Sequence, residues 1–120
     1  MDGISSNDYA YIGDAVIELL ARRYLVANGH ERVHSEEAHR FVTAASQSDA
    51  LSRIEKELTD EEQDVFRRAR NNYHTSNVPK SATPAQYRRS TGFEAVFGYL
   101  YLRGDTARIE KLFGIAYGLE

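Results

Sequence analysis

The chain contains no cysteine and no tryptophan, and only two prolines among its 120 residues. Without cysteine there is no disulfide framework, no thiolate zinc site and no cysteine nucleophile. The same absence suits a reducing cytoplasm. No uninterrupted apolar run approaches the ~20 residues that a membrane-spanning helix needs. No basic-then-apolar leader opens the sequence, so a cytoplasmic protein without membrane contact is expected. There is no excess of positive charge either: 15 Lys and Arg stand against 18 Asp and Glu, a net charge of −3. A uniformly basic nucleic-acid clamp is thereby excluded, whereas a local basic patch is not. A phosphate-cradling glycine loop, a nucleophile elbow and an adjacent His-Asp pair are also missing. What remains is ordinary for a globular domain, 42% hydrophobic and 28% charged. At this length one domain over residues 1–120 is expected.

The apolar residues recur with helical spacing. Tyr9, Ile12, Val16, Leu19, Leu20 and Tyr24 follow three-and-four steps, which predicts a helix over 9–26, capped by Asn7 or Asp8 and stopped by Asn28-Gly29. A second helical stretch covers 34–58, with a break expected near Ser46-Gln47-Ser48. Thr59-Asp60-Glu61-Glu62 reads as a capping box that opens a third stretch to about residue 71. Residues 73–83 form the one clear loop. Thr83-Pro84-Ala85-Gln86 restarts a helix with a cap, a proline at its first position and a glutamine at its third. That helix carries Phe93, Val96, Phe97, Leu100 and Tyr101 and stops at Arg103-Gly104. Asp105 then caps a last helix bearing Ile109, Leu112, Phe113 and Ala116. With no sustained alternation of a strand, the expected fold is all-α.

Charge is distributed unevenly. Residues 67–89 hold Arg67, Arg68, Arg70, Lys80, Arg88 and Arg89 and no acid. Asn71, Asn72, Tyr73, His74 and Asn77 lie among them, a mixture suited to phosphate and sugar contacts. Cations also gather at helix C-termini for dipole reasons, which accounts for Arg67, Arg68 and Arg70 on their own. Continuation of the bias to Arg88 and Arg89 favours an anion-binding edge. His34 and His39 flank Glu36 and Glu37, but five residues turn a helix through about 500°, so the two rings point about 140° apart. Joint zinc ligation is disfavoured by that angle.

Two carboxylates sit in apolar company: Asp14 within Tyr11-Ile12-Gly13-Asp14-Ala15-Val16-Ile17, and Glu94 within Thr91-Gly92-Phe93-Glu94-Ala95-Val96-Phe97-Gly98. A buried acid without a partner costs several kcal/mol. Each is therefore a solvent-facing acid, a partner of an arginine, or a ligand of a cation. Small neighbours, Gly13 for one and Gly92 with Ala95 for the other, permit close helix approach. A pair brought together in this way suits magnesium, which accepts one or two carboxylates and keeps its waters. Spacing alone leaves these readings open.

Tyr11-Ile12-Gly13-Asp14-Ala15-Val16 resembles the central signature of the ribonuclease III catalytic domain. Phe93-Glu94-Ala95-Val96-Phe97-Gly98-Tyr99-Leu100-Tyr101-Leu102 is similar to that family's second acidic motif. The match is strongest to the short branch, Mini-ribonuclease III, which has no double-stranded-RNA-binding domain. His34-Ser35-Glu36-Glu37-Ala38, Phe41-Val42-Thr43-Ala44 with Gln47, Arg68-Ala69-Arg70-Asn71, Val78-Pro79-Lys80 and Tyr87-Arg88-Arg89-Ser90-Thr91 agree with it too, over about residues 8–118.

The resemblance implies an all-α homodimer that hydrolyses double-stranded RNA with magnesium, manganese being a possible substitute, and leaves 5′-phosphate and 3′-hydroxyl ends. By motif match Asp14 and Glu94 are the catalytic, metal-binding carboxylates. Precursor ribosomal RNA of the large subunit (23S) is the implied substrate. Longer family members carry further acids where this chain has Ala10 and Thr91, so a water-rich metal shell is expected. Glu18 and Glu37 are conceivable substitutes without further support. Arg67, Arg70, Asn71, Lys80 and Arg88 are the expected RNA contacts, and binding is expected to be weak and salt-sensitive. The aromatic helix over 93–102 is expected to serve both the core and a dimer interface. The competing reading is a non-catalytic, dimeric double-stranded-RNA-binding module, favoured only by the reduced set of acids. A helical protein-interaction domain is a third.

Overall fold

A computed structural model describes residues 3–28, 41–72 and 78–119. Five α-helices are described: α1 (Ser6–Ala27), α2 (Ala44–Ile54), α3 (Asp60–Asn71), α4 (Pro84–Leu102) and α5 (Thr106–Tyr117), with a 3-10 turn at Glu55–Glu57 after α2. No strand occurs among the described residues, and no helix there is long and apolar enough to cross a membrane. The fold is all-α, as expected.

Caps set the helix boundaries. The Ser5 hydroxyl accepts from the Asp8 amide while the Asp8 carboxylate accepts from the Ser5 amide, so the cap is Ser5, two residues before Asn7 and three before Asp8. Reciprocal pairs of the same kind open α3 at Thr59 and Glu62, and α4 at Thr83 and Gln86, both as read from the sequence. Asp105 caps α5. The expected break at Ser46-Gln47-Ser48 does not occur. Thr43 caps instead, accepting from the Ser46 amide, and a turn at residues 41–43 precedes a helix that runs unbroken to Ile54. A serine inside a helix can simply be buried, and Ser48 is. His34, Glu36, Glu37, His39 and residues 73–77 of the loop lie outside the described residues.

α4 is the central helix. It packs against α1 most extensively, and also against α2, α3 and α5. Enclosure explains why its apolar residues do not form one stripe: Phe93, Ala95, Val96, Phe97 and Leu100 face different neighbours. Phe93 and Phe97 meet Ile17 and Leu25 of α1, Leu51 and Ile54 of α2, and Leu112 of α5 in one core. Phe41, Phe113 and Tyr117 close it with ring contacts of 4.9–6.1 Å.

Two polar clamps fix the helices. Glu62 is buried and pairs with Arg108 at 2.8 Å, which ties α3 to α5. Burial raises the energy of its charge, but the Arg108 hydrogen bonds and the Thr59 amide prevail and hold Glu62 below the ordinary carboxylate range. Arg89 of α4 spans to α2, donating to Ser48 Oγ and O, Ser52 Oγ and Glu55 Oε1 at 2.8–3.1 Å.

Candidate active site

The α1–α4 crossing is glycine against backbone. A Cβ on Gly13 would stand 1.6 Å from the Glu94 carbonyl oxygen, and one on Gly98 would stand 1.9 Å from the Tyr9 carbonyl oxygen. Side chains other than hydrogen cannot be accommodated at either position, so the two helices touch along their main chains. Gly92, expected to serve the same approach, faces Phe66 of α3 instead.

This contact delivers the carboxylates. Asp14 follows Gly13 on the solvent side of α1, and Glu94 sits half-buried on α4 beside the same crossing. Their carboxyl groups are close enough to act on one another. Burial first, then the negative charge of Asp14 and the hydrogen bond shared with it, push Glu94 well above the ordinary carboxylate range; the Gln47 amide acts in the opposite sense. Of the three sequence readings of these acids, the arginine-paired one is not realised: neither takes part in an ion pair with Lys or Arg among the described residues.

Tyr117 stands close enough for the charge of Glu94 to act on it; burial chiefly, and that charge next, drive its phenol far above the usual range. Its hydroxyl donates to the Phe41 carbonyl at 2.6 Å. Gln47 was visible in the sequence as part of a motif without a role. It is 1% exposed, and its Nε2 lies near the Glu94 carboxyl without a hydrogen bond of good geometry to any group. The signal that finds it is a buried amide one helix turn after the Thr43 cap.

The donor set fits a hard divalent cation. Two carboxylates held together, one of them made harder to ionise by its surroundings, are relieved when a cation takes the place of the proton. No group of three or more His, Asp or Glu suited to a metal occurs among the described residues, so two carboxylates would be filled out by water or phosphate oxygen. Ala10 is buried and Thr91 gives its hydroxyl to the Tyr87 carbonyl, so neither contributes a charge.

The expected RNA contacts divide. Arg70, Asn71 and Arg88 line one groove of about 390 Å³ together with Ala85 and Arg89. Arg70 lies over the Phe66 ring at 5.4 Å and donates to Asn71 Oδ1. Arg67 and Lys80 are exposed but do not line that groove. Arg67 and Arg68 share Asp64, at 3.9 and 3.2 Å, an acid one turn earlier that lies just outside the basic window. Arg89 is committed to its clamp with α2.

With this geometry in view, comparison with known proteins is decisive. Residues 7–105 match the Ribonuclease III domain family. The chain belongs to the ribonuclease III family. Membership carries the family's class of activity, endoribonucleolytic hydrolysis. The Mini-ribonuclease 3 of Symbiobacterium thermophilum is 45% identical over 105 residues, covering 86% of this chain and 80% of the relative. That of Thermoanaerobacter is 39% identical over 105 residues, 86% of this chain and 73% of the relative. The crystal structure of protein FN1578 from Fusobacterium nucleatum superposes with a TM-score of 0.84 at 28% identity, over 96% of this chain and 94% of that one.

Proposed function

We propose that this ribonuclease III family member is a magnesium-dependent endoribonuclease of double-stranded RNA, with Asp14 and Glu94 as its catalytic and metal-holding carboxylates. The observation that carries this reading is the Asp14–Glu94 pair, brought together by the Gly13 contact. When bound, a magnesium ion supplies Lewis acidity toward a phosphate. The protein's part is placement. Asp14 presents an oxygen to solvent, where a phosphodiester can reach it, while Glu94 is held from behind by the core. Manganese accepts the same hard oxygen donors. The products are strands with 5′-phosphate and 3′-hydroxyl ends, and the substrate is a duplex region of precursor large-subunit ribosomal RNA in the cytoplasm, in keeping with the resemblance of the motifs.

The working form is a homodimer. Tyr11 and Leu19 are 80% and 66% exposed, and Ala15 and Val26 are exposed between and beyond them. On a helix these four fall within about 80° of arc. An uncovered apolar strip beside Asp14 suits a second copy, which would set two cutting sites against two strands. Duplex phosphates are contacted through the groove of Arg70, Asn71 and Arg88, with the exposed Arg67 and Lys80 as further contacts.

A cleavage assay on precursor-like duplexes with magnesium tests the reading, comparing native protein with Asp14→Asn and Glu94→Gln. Loss of cutting in both variants, with duplex binding kept, is the expected result. Duplex binding by a native protein that never cuts would establish the non-catalytic binder instead. Sedimentation of the native chain checks the dimer.

A further inference from the structure

Native proteins rarely leave a buried amide unpaired, so the orphan Nε2 of Gln47 needs a reason. Core filling does not provide one, because leucine or methionine would occupy the same space without an unmet donor. Placement is more informative. The Thr43 cap fixes the first turn of α2, and Gln47 follows one turn later, its own amide bonded to the Thr43 carbonyl at 2.9 Å. Its neighbour Ser48 is gripped through both Oγ and O by Arg89, which lies five residues before Glu94 on α4. The clamp holds α2 against α4 at the residue after Gln47, and the amide is close enough to the Glu94 carboxyl to act on it.

We propose that Gln47 is a positioning residue: its Nε2 is held ready to donate to the Glu94 carboxylate and fix the plane of that group while its oxygens hold a divalent cation. This rests on the reading of Asp14 and Glu94 as the cleavage centre. An orienting partner behind a metal-holding carboxylate governs both ion affinity and turnover without touching the RNA.

Gln47→Met and Gln47→Leu test this, alongside native protein and Glu94→Gln. Three quantities are measured: Tm, manganese binding without RNA by electron paramagnetic resonance, and kcat and KM on a model duplex. The expected result is an unchanged or higher Tm, since an unmet donor has been removed. Manganese affinity and kcat fall about 10–100-fold, as for other orienting partners. KM for the duplex stays within about twofold, because no RNA contact is lost. Native manganese affinity and kcat in both variants would overturn the proposal while leaving the cleavage centre intact, provided Glu94→Gln remains inactive. A lower Tm with kcat and KM shifted together would also overturn it, by making Gln47 merely structural. Native protein inert toward the duplex would sink the cleavage centre and this proposal together.

Discussion

The carbonyl oxygen of Glu94 lies so close to Gly13 that a Cβ there would approach it to 1.6 Å. The residue before Asp14 is therefore in main-chain contact with Glu94 itself. Neither backbone can yield without separating α1 from α4, and that crossing is the largest helix contact among the described residues. Gly13→Ala is expected to cost about 3 kcal/mol or more, the upper range of overpacking, since the clash is with main chain. Cleavage should fall further than the loss of folded protein explains, because the carboxylates part as the helices do. Gly98→Ala, aimed at the Tyr9 carbonyl, should destabilise equally. Thermal melts and single-turnover cleavage, corrected for folded fraction, check both.

Glu94 makes ion binding depend on pH in a definite direction. Burial, then the charge of Asp14, keep its proton on above the ordinary carboxylate range. Proton and cation compete for the same oxygens, so the magnesium concentration for half-maximal cleavage should fall as pH rises, by about tenfold per unit until Glu94 ionises and the curve flattens. The same shift acts on the fold. Above the pKa of the unfolded chain the unfolded state binds fewer protons than the native one, so this group's contribution to stability is lost as pH rises. Glu94→Gln should raise the metal-free Tm at pH 8, at roughly 4 °C per kcal/mol, and abolish stabilisation by magnesium. Differential scanning with and without the ion measures both; a Tm that falls in the variant would contradict the assignment.

The sequence was most legible where one local rule decides. The boxes at Thr59 and Thr83 and the cap at Asp105 are short-range hydrogen-bond patterns, and they form as read. Burial was less legible. Leu19 belongs to the apolar face read for this helix but lies exposed, while the buried face of α1 includes Ala10, Gly13, Val16 and Ile17. Small residues mark the closest approach more faithfully than large ones, because at Gly13 and Gly98 only hydrogen fits. Gln47 had no periodic signal at all, since the meaning of a lone amide depends on what folds over it. In the same way, Asp64 neutralises Arg67 and Arg68 from one turn upstream, which a window drawn along the chain does not register.

The buried Glu62–Arg108 pair should behave oppositely to Glu94. Burial opposes its charge, but Arg108 and the Thr59 amide hold Glu62 ionised below the usual range. Its contribution is complete above the unfolded pKa and is lost as pH falls through the native one. Arg108→Met strands a buried carboxylate and is expected to cost about 3–5 kcal/mol. The double variant Arg108→Met with Glu62→Leu should recover most of that loss, because an apolar pair leaves no unmet charge. Urea denaturation of the single and double variants at neutral pH supplies the cycle.

The groove of Arg70, Asn71 and Arg88 gives the RNA interface a quantitative test. Arg70 is braced over Phe66 and tied to Asn71, so its guanidinium is already ordered before a phosphate arrives. Pre-ordering lowers the entropic cost of each contact. In a Glu94→Gln background, where duplex survives, Arg70→Gln and Arg88→Gln are each expected to weaken binding and to lower the slope of log Kd against log salt by about one unit. Arg67→Gln and Arg68→Gln should change the slope less, since Asp64 already offsets their charge. Arg89→Gln should instead lower Tm, because its four hydrogen bonds all stay within the protein. Fluorescence anisotropy with a labelled duplex over a potassium chloride series reads the slopes. Equal slopes for Arg70→Gln and Arg68→Gln would move the RNA path away from this groove.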